Sequence, residues 1–127
     1  MRFARWIFGI AAVWGIAVIA PLYFLESSIS DNAPPAITHP EYYYGFVGVV
    51  LATQFLYALI ATDPVLYRPA MLIGIFSKLS FFGACTLLYF AGRVEAPVAA
   101  AAAPDLLFAL LFGWAWLITG RASGTAR

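Results

Sequence analysis

Charge is scarce in this sequence, and so are the side chains from which most soluble active sites are built. Seven basic and six acidic residues amount to 10% of the chain and a net charge of +1, against roughly 25% charged residues in an ordinary soluble domain. No basic patch is available for nucleic acid, so that partner class is excluded. One cysteine cannot form a pair, and one histidine lies far in depth from Cys85, so no metal-ligand set is expected. There is no glycine-rich phosphate loop and no Ser-His-Asp set with evident partners. No cofactor is implied. An enzyme would have to rest on proton transfer among Lys78, Tyr43 and Glu41, which makes enzymatic activity the weaker class.

What the chain does have is long apolar runs. Hydrophobic residues make up 64% of it, and they fall into blocks at about 6–25, 42–62, 69–92 and 97–120. At about 1.5 Å per residue each block can cross roughly 30 Å of hydrocarbon. The expected fold is therefore all-α: a polytopic membrane protein, one domain over residues 1–127, forming an antiparallel bundle of four transmembrane helices. The first block follows Arg2 and Arg5 as a signal peptide would. Its apolar stretch is too long, however, and no small-x-small cleavage site precedes Pro21-Leu22-Tyr23, so it is read as a retained helix. Arg2, Arg5, Arg68, Arg121 and Arg127 fall on one side of this arrangement and Arg93 on the other, which predicts cytoplasmic termini. Tyr42, Tyr43, Tyr44 and Tyr89 then mark the outer interface, and Trp6, Tyr67, Trp114 and Trp116 the inner one.

The connections are unequal. Asp63-Pro64-Val65-Leu66-Tyr67-Arg68-Pro69 is a short capped turn that makes the second and third spans antiparallel neighbours. The outer segment from Glu26 to Pro40 is longer and polar, and reads as a loop: a connector, or a lid over the outer face. The fourth span has two parses. If it starts at Pro104, Asp105 is simply an acidic residue favoured at a helix N-terminus. If it starts near Pro97, the Ala99–Ala103 run belongs to the helix, Pro104 becomes an internal kink, and Asp105 lies about 12 Å below the outer end. The longer parse is preferred, because the shorter helix would span only about 25 Å.

Lys78 is the most informative residue. A charge near the centre of a transmembrane helix costs roughly 2.5–3.5 kcal/mol on insertion scales, so it is expected to face a partner, a wet cavity or the membrane edge. Helical spacing puts Tyr43, Val47, Leu51, Gln54 and Ala58 on one face, Gly74, Ser77, Lys78, Phe81 and Cys85 on another, and Ala101, Asp105, Phe108 and Phe112 on a third. These stripes predict a polar seam of Lys78, Asp105, Gln54, Tyr43 and Ser77 with aromatic walls. The competing readings are structural: Gln54 as an interhelical hydrogen bond, Lys78 with Asp105 as a self-neutralising pair that fixes helix order, or Lys78 snorkelling to the inner surface. At the outer end, His39, Glu41 and Tyr44 read either as an interfacial anchor or as a titratable gate above the seam. Small residues at four-residue spacing, such as Ala11 with Gly15 and Ala109 with Gly113, allow close helix contact within one chain or in a homodimer.

The stretch His39–Phe46, the turn from Asp63-Pro64 to Tyr67-Arg68-Pro69 before a lysine-bearing helix, and Asp105-Leu106-Leu107 together carry a resemblance. The chain loosely resembles small uncharacterised bacterial inner-membrane proteins of the DoxX-like four-helix group. That resemblance implies a four-helix architecture, a bacterial inner membrane and an acidic residue inside the fourth helix. It implies no established activity. The functional expectation is binding of a small hydrophobic or lipid-like ligand in the polar seam. The alternatives are a structural or accessory subunit docking a membrane-protein partner and, more weakly, a proton-coupled transporter, for which no repeat with matched broken helices is apparent.

Overall fold

The computed structural model describes residues 1–124, the last three as backbone alone. Helix α1 (Arg2–Ile19) runs into a 3-10 turn (Ala20–Phe24). It is followed by α2 (Glu26–Asn32), α3 (Pro40–Thr62), α4 (Arg68–Phe90), α5 (Ala96–Ala101) and α6 (Ala103–Gly124). Four spans, Arg2–Phe24, Pro40–Thr62, Arg68–Phe90 and Ala96–Arg121, are each long and apolar enough to cross a bilayer. The fold is that of a multi-pass, all-helical membrane protein.

Local chemistry explains the boundaries. Pro21 has no N–H to give the preceding turn, and α1 tightens into 3-10 geometry there. Pro40 and Glu41 open α3, where a missing N–H costs nothing and a carboxylate meets the positive helix end. In the α3–α4 turn the Asp63 carboxylate accepts from the amides of Val65 and Leu66 at 3.2 and 3.0 Å. Helix α4 stops at Gly92, whose φ of +68° only glycine adopts freely. The Gly92 amide donates to Tyr89 and the Arg93 amide to Leu88, both at 2.9 Å, satisfying the last carbonyls.

The fourth span combines both parses. It begins at Ala96, as the longer parse requires, but breaks for one residue at Ala102 before α6 starts at Ala103. The break lies just upstream of Pro104, which cannot donate to the preceding turn. Three-residue bonds from Ala102 to Ala99 and from Asp105 to Ala102 bridge it. With α5 packed along α4, Asp105 sits nine positions into the span, roughly 14 Å from its outer end at about 1.5 Å per residue.

The four long helices form a ring in the order α1, α3, α4, α6. The most extensive packing is within the pairs α1/α3 and α4/α6, and the diagonal helices keep their backbones apart among the described residues, α3 and α6 meeting through the rings of Tyr57 and Phe112. The packed core lies in the half nearest the chain termini: Ala4, Phe8, Ala11 and Ala12 of α1, Tyr57 and Ile60 of α3, Met71 of α4, and Phe112 and Ala115 of α6. Phe8 stacks on Phe112 with centroids 4.1 Å apart, and Tyr57 meets Phe112 edge-on at 5.0 Å. A Cβ at Gly74 would lie 3.0 Å from the Tyr57 ring and 3.3 Å from that of Phe112, so glycine lets α4 approach this stack. At the same end Arg68 ties the α3–α4 turn to α6. Its guanidinium lies 4.0 Å over the Trp116 ring and its Nε donates to the Trp116 carbonyl at 3.1 Å.

Arg2, Arg5, Arg68 and Arg121 all belong to this end of the bundle and Arg93 to the other; Arg127, counted with them in the sequence, lies outside the described residues. The segment from Glu26 to Pro40 is not wholly loop, because Glu26–Asn32 forms α2. Glu26 occupies its first turn, and the Asn32 side chain donates to the Ser28 carbonyl at 2.8 Å. Helix α2 packs along the 3-10 turn and is tied to α3 by the Tyr44 hydroxyl, which donates to Glu26.

Candidate functional site

Where the packed core ends, a cavity of about 660 Å³ begins, between the pairs α1/α3 and α4/α6. Its size falls within the roughly 300–1,000 Å³ common for small-molecule sites. Trp14 and Val18 of α1, Phe46 and Val49 of α3, and Ile73 and Phe76 of α4 form apolar walls. All six are exposed, so the cavity is not sealed within the bundle. The polar side chains lining it include Gln54, Ser77, Lys78 and Asp105.

Lys78, the chain's one lysine, sits near the middle of α4. Its Nζ donates to Asp105 Oδ1 at 2.8 Å, and the two side chains are 11% and 21% exposed. The stem therefore lifts the ammonium toward α6 and does not snorkel to the near surface. The ammonium also lies 5.6 Å from the Tyr57 ring centroid and 5.5 Å from that of Phe108, within cation–π range. Tyr57 belongs to the core and Phe108 packs against it. The ion pair thus forms the boundary between solid packing on one side and the cavity on the other.

Gln54 serves two purposes. Its Nε2 donates to the Val50 carbonyl at 2.9 Å, which fixes the amide orientation. Its Oε1 is sealed from solvent without a hydrogen bond and presses against Gly15 of α1. A methyl group at Gly15 would overlap Oε1 and Cδ and stand 2.7 Å from Cγ. The Ala11/Gly15 pair thus admits an α3 side chain within the same chain. Tyr57 adds a second sealed polar atom, for its hydroxyl faces Ser77 without reaching hydrogen-bonding geometry.

The structure rearranges the remaining predicted residues. Tyr43 leaves the seam: its hydroxyl donates to the Leu22 carbonyl at 2.5 Å, serving a carbonyl in the 3-10 turn. Ala58 is exposed, and the inner face of α3 runs instead through Val47, Gln54, Tyr57 and Ile60. Cys85 is buried but does not line the cavity. The outer gate does not assemble. His39 Nδ1 lies 3.3 Å from Glu41 Oε1, with both side chains about two-thirds exposed at 66% and 64%. Tyr44 turns away and donates to Glu26 Oε2 at 2.6 Å. None of the three lines the cavity; Tyr43 instead fastens the start of α3 to the end of the first span, and Tyr44 fastens it to α2.

Sequence reasoning missed Tyr57, Gly15 and the Arg68–Trp116 contact. Tyr57 was within reach, since it lies three residues after Gln54 and so shares its face. For Gly15 facing Gln54 there was no signal, because the match depends on the rotation of one helix against another. Comparison with protein families, with curated proteins and with solved structures returns no match for the chain.

Proposed function

We propose that the protein binds a small hydrophobic or lipid-like molecule, which enters sideways from the bilayer and rests its polar end on Lys78 and Asp105. The supporting observation is the cavity of about 660 Å³ floored by a largely buried ion pair. Membrane interiors hold ionisable groups at a cost, and such groups repeatedly mark ligand or ion paths. The aromatic and aliphatic walls supply contact area, and the pair supplies orientation. Within this reading the protein resides in a bacterial inner membrane with both termini cytoplasmic, in keeping with its basic residues and its DoxX-like look.

Mass spectrometry of small molecules retained after gentle extraction tests the binding. The wild type is expected to carry a copurifying species that Lys78→Met/Asp105→Asn, which keeps side-chain volume without an orphan charge, does not. Empty spectra from two well-folded samples would sink the reading. Orientation is tested separately, by labelling Ser30→Cys and Leu66→Cys in a Cys85→Ala background with an impermeant thiol reagent. Position 30 should react in intact cells and position 66 only after lysis; the reverse pattern overturns the assignment.

One observation favours a second reading. The 2.8 Å contact joins α4 to α6 across the break at Ala102, as expected of a structural or accessory subunit whose pair fixes helix order. Exchanging the charges, Lys78→Asp with Asp105→Lys, should then restore everything the single variants lose. On the binding reading the exchange restores stability and not the bound molecule.

A further inference from the structure

The geometry points to a ligand class: we infer that the cavity selects electrically neutral amphiphiles whose head both donates and accepts a hydrogen bond, such as alcohols or primary amides, over anionic or cationic lipids. This rests on the binding function proposed above and narrows it.

The first argument is charge balance. Lys78 and Asp105 are the only charged side chains lining the cavity among the described residues, and at 2.8 Å they cancel each other. A ligand carrying a permanent charge would meet no counter-ion there. An anionic head would be drawn to Lys78 and repelled by Asp105 in contact with it, and a cationic head the reverse. Either would have to surrender its hydration to a wall that is mostly aromatic and aliphatic.

The second argument is hydrogen-bonding capacity. A lysine ammonium has three donors, and one is used on Asp105 Oδ1. Asp105 Oδ2 accepts no hydrogen bond from any described residue. A spare donor and a spare acceptor therefore sit side by side on the cavity floor. A hydroxyl group answers both at once, donating a hydrogen bond to the carboxylate and accepting one from the ammonium. A primary amide does the same through its N–H and carbonyl. A sulfonate can only accept, and a quaternary ammonium can do neither. The Ser77 hydroxyl beside the pair adds a further neutral partner.

The test uses the full chain in a mild non-ionic detergent with three probes of one tail length: tetradecanol, tetradecane sulfonate and tetradecyltrimethylammonium. Native mass spectrometry reads which is retained from an equimolar mixture. The wild type is expected to prefer the alcohol by about tenfold or more over either ion, a difference of about 1.4 kcal/mol. Asp105→Asn should shift preference toward the sulfonate and Lys78→Met toward the quaternary ammonium. The wild-type ranking decides the matter even if a variant folds poorly. Retention of an ion as well as the alcohol overturns neutral selection and leaves cavity binding standing. Retention of no probe by folded wild type, or equal retention by the cavity-filling Ala84→Phe, overturns the binding function itself.

Discussion

Lys78→Met is expected to lower the unfolding free energy by about 3 kcal/mol, measured by denaturant titration in mixed micelles. Removing one partner of a buried pair typically costs about 3–5 kcal/mol, because the remaining charge keeps its desolvation penalty without compensation. The lower end applies here because the Asp105 side chain retains 21% exposure toward the cavity. The lost cation–π contacts with Tyr57 and Phe108 contribute in the same direction. Neutralising both partners, as Lys78→Met/Asp105→Asn, should recover more than half of the loss, since an intact buried pair stabilises little over a neutral pair of similar shape. A single variant as stable as wild type would mean that the ammonium is not held against α6. A double variant no better than the single one would mean that the lost stability came from the methylene stem and its packing, not from the orphaned carboxylate.

What could be read in advance follows a physical divide. Four spans were legible because burial in lipid demands long apolar runs whatever the helices do to one another. The meeting of Lys78 with Asp105 was legible as a depth argument, since counting residues from the helix ends fixes height in a bilayer. Rotation is another matter. Tyr43 stands one helical turn from Val47 and looked like part of the inner stripe, yet the carbonyls in the tightened turn at Pro21 draw its hydroxyl to Leu22. Tyr44 was grouped with His39 and Glu41 by proximity in the chain, but a carboxylate eighteen positions earlier, Glu26, accepts its hydrogen bond. Arg68 was visible as a charge at one membrane face and not as a guanidinium stacked on Trp116, because that contact joins residues 48 positions apart. Depth and composition are one-dimensional properties that a sequence carries; the azimuth of each helix is settled by packing against neighbours.

Gly15→Ala is the substitution in which that azimuth can be tested, and its sign depends on the residue opposite. Alanine is favoured over glycine inside a helix by about 1 kcal/mol, so in open space the change would stabilise α1. At this position the new methyl would overlap the Gln54 amide. Gln54 is 1% exposed and its Nε2 is engaged with Val50, so the head cannot yield without breaking that bond or pushing α1 from α3. Overpacking costs about 1–3 kcal/mol, and overlap with two atoms of the amide puts this site in the upper part of that range, so Gly15→Ala is expected to be net destabilising by up to about 2 kcal/mol after the propensity gain. In a Gln54→Ala background the obstacle is gone, and the same substitution should become neutral or mildly stabilising. The coupling between the two sites, read from a double-mutant cycle in mixed micelles, is then about 2 kcal/mol, within the range for residues in direct contact. Additive effects would show that Gly15 and Gln54 do not face each other. The α1 wall of the cavity would then be misplaced as well, since Gly15 lines it together with Trp14 and Val18.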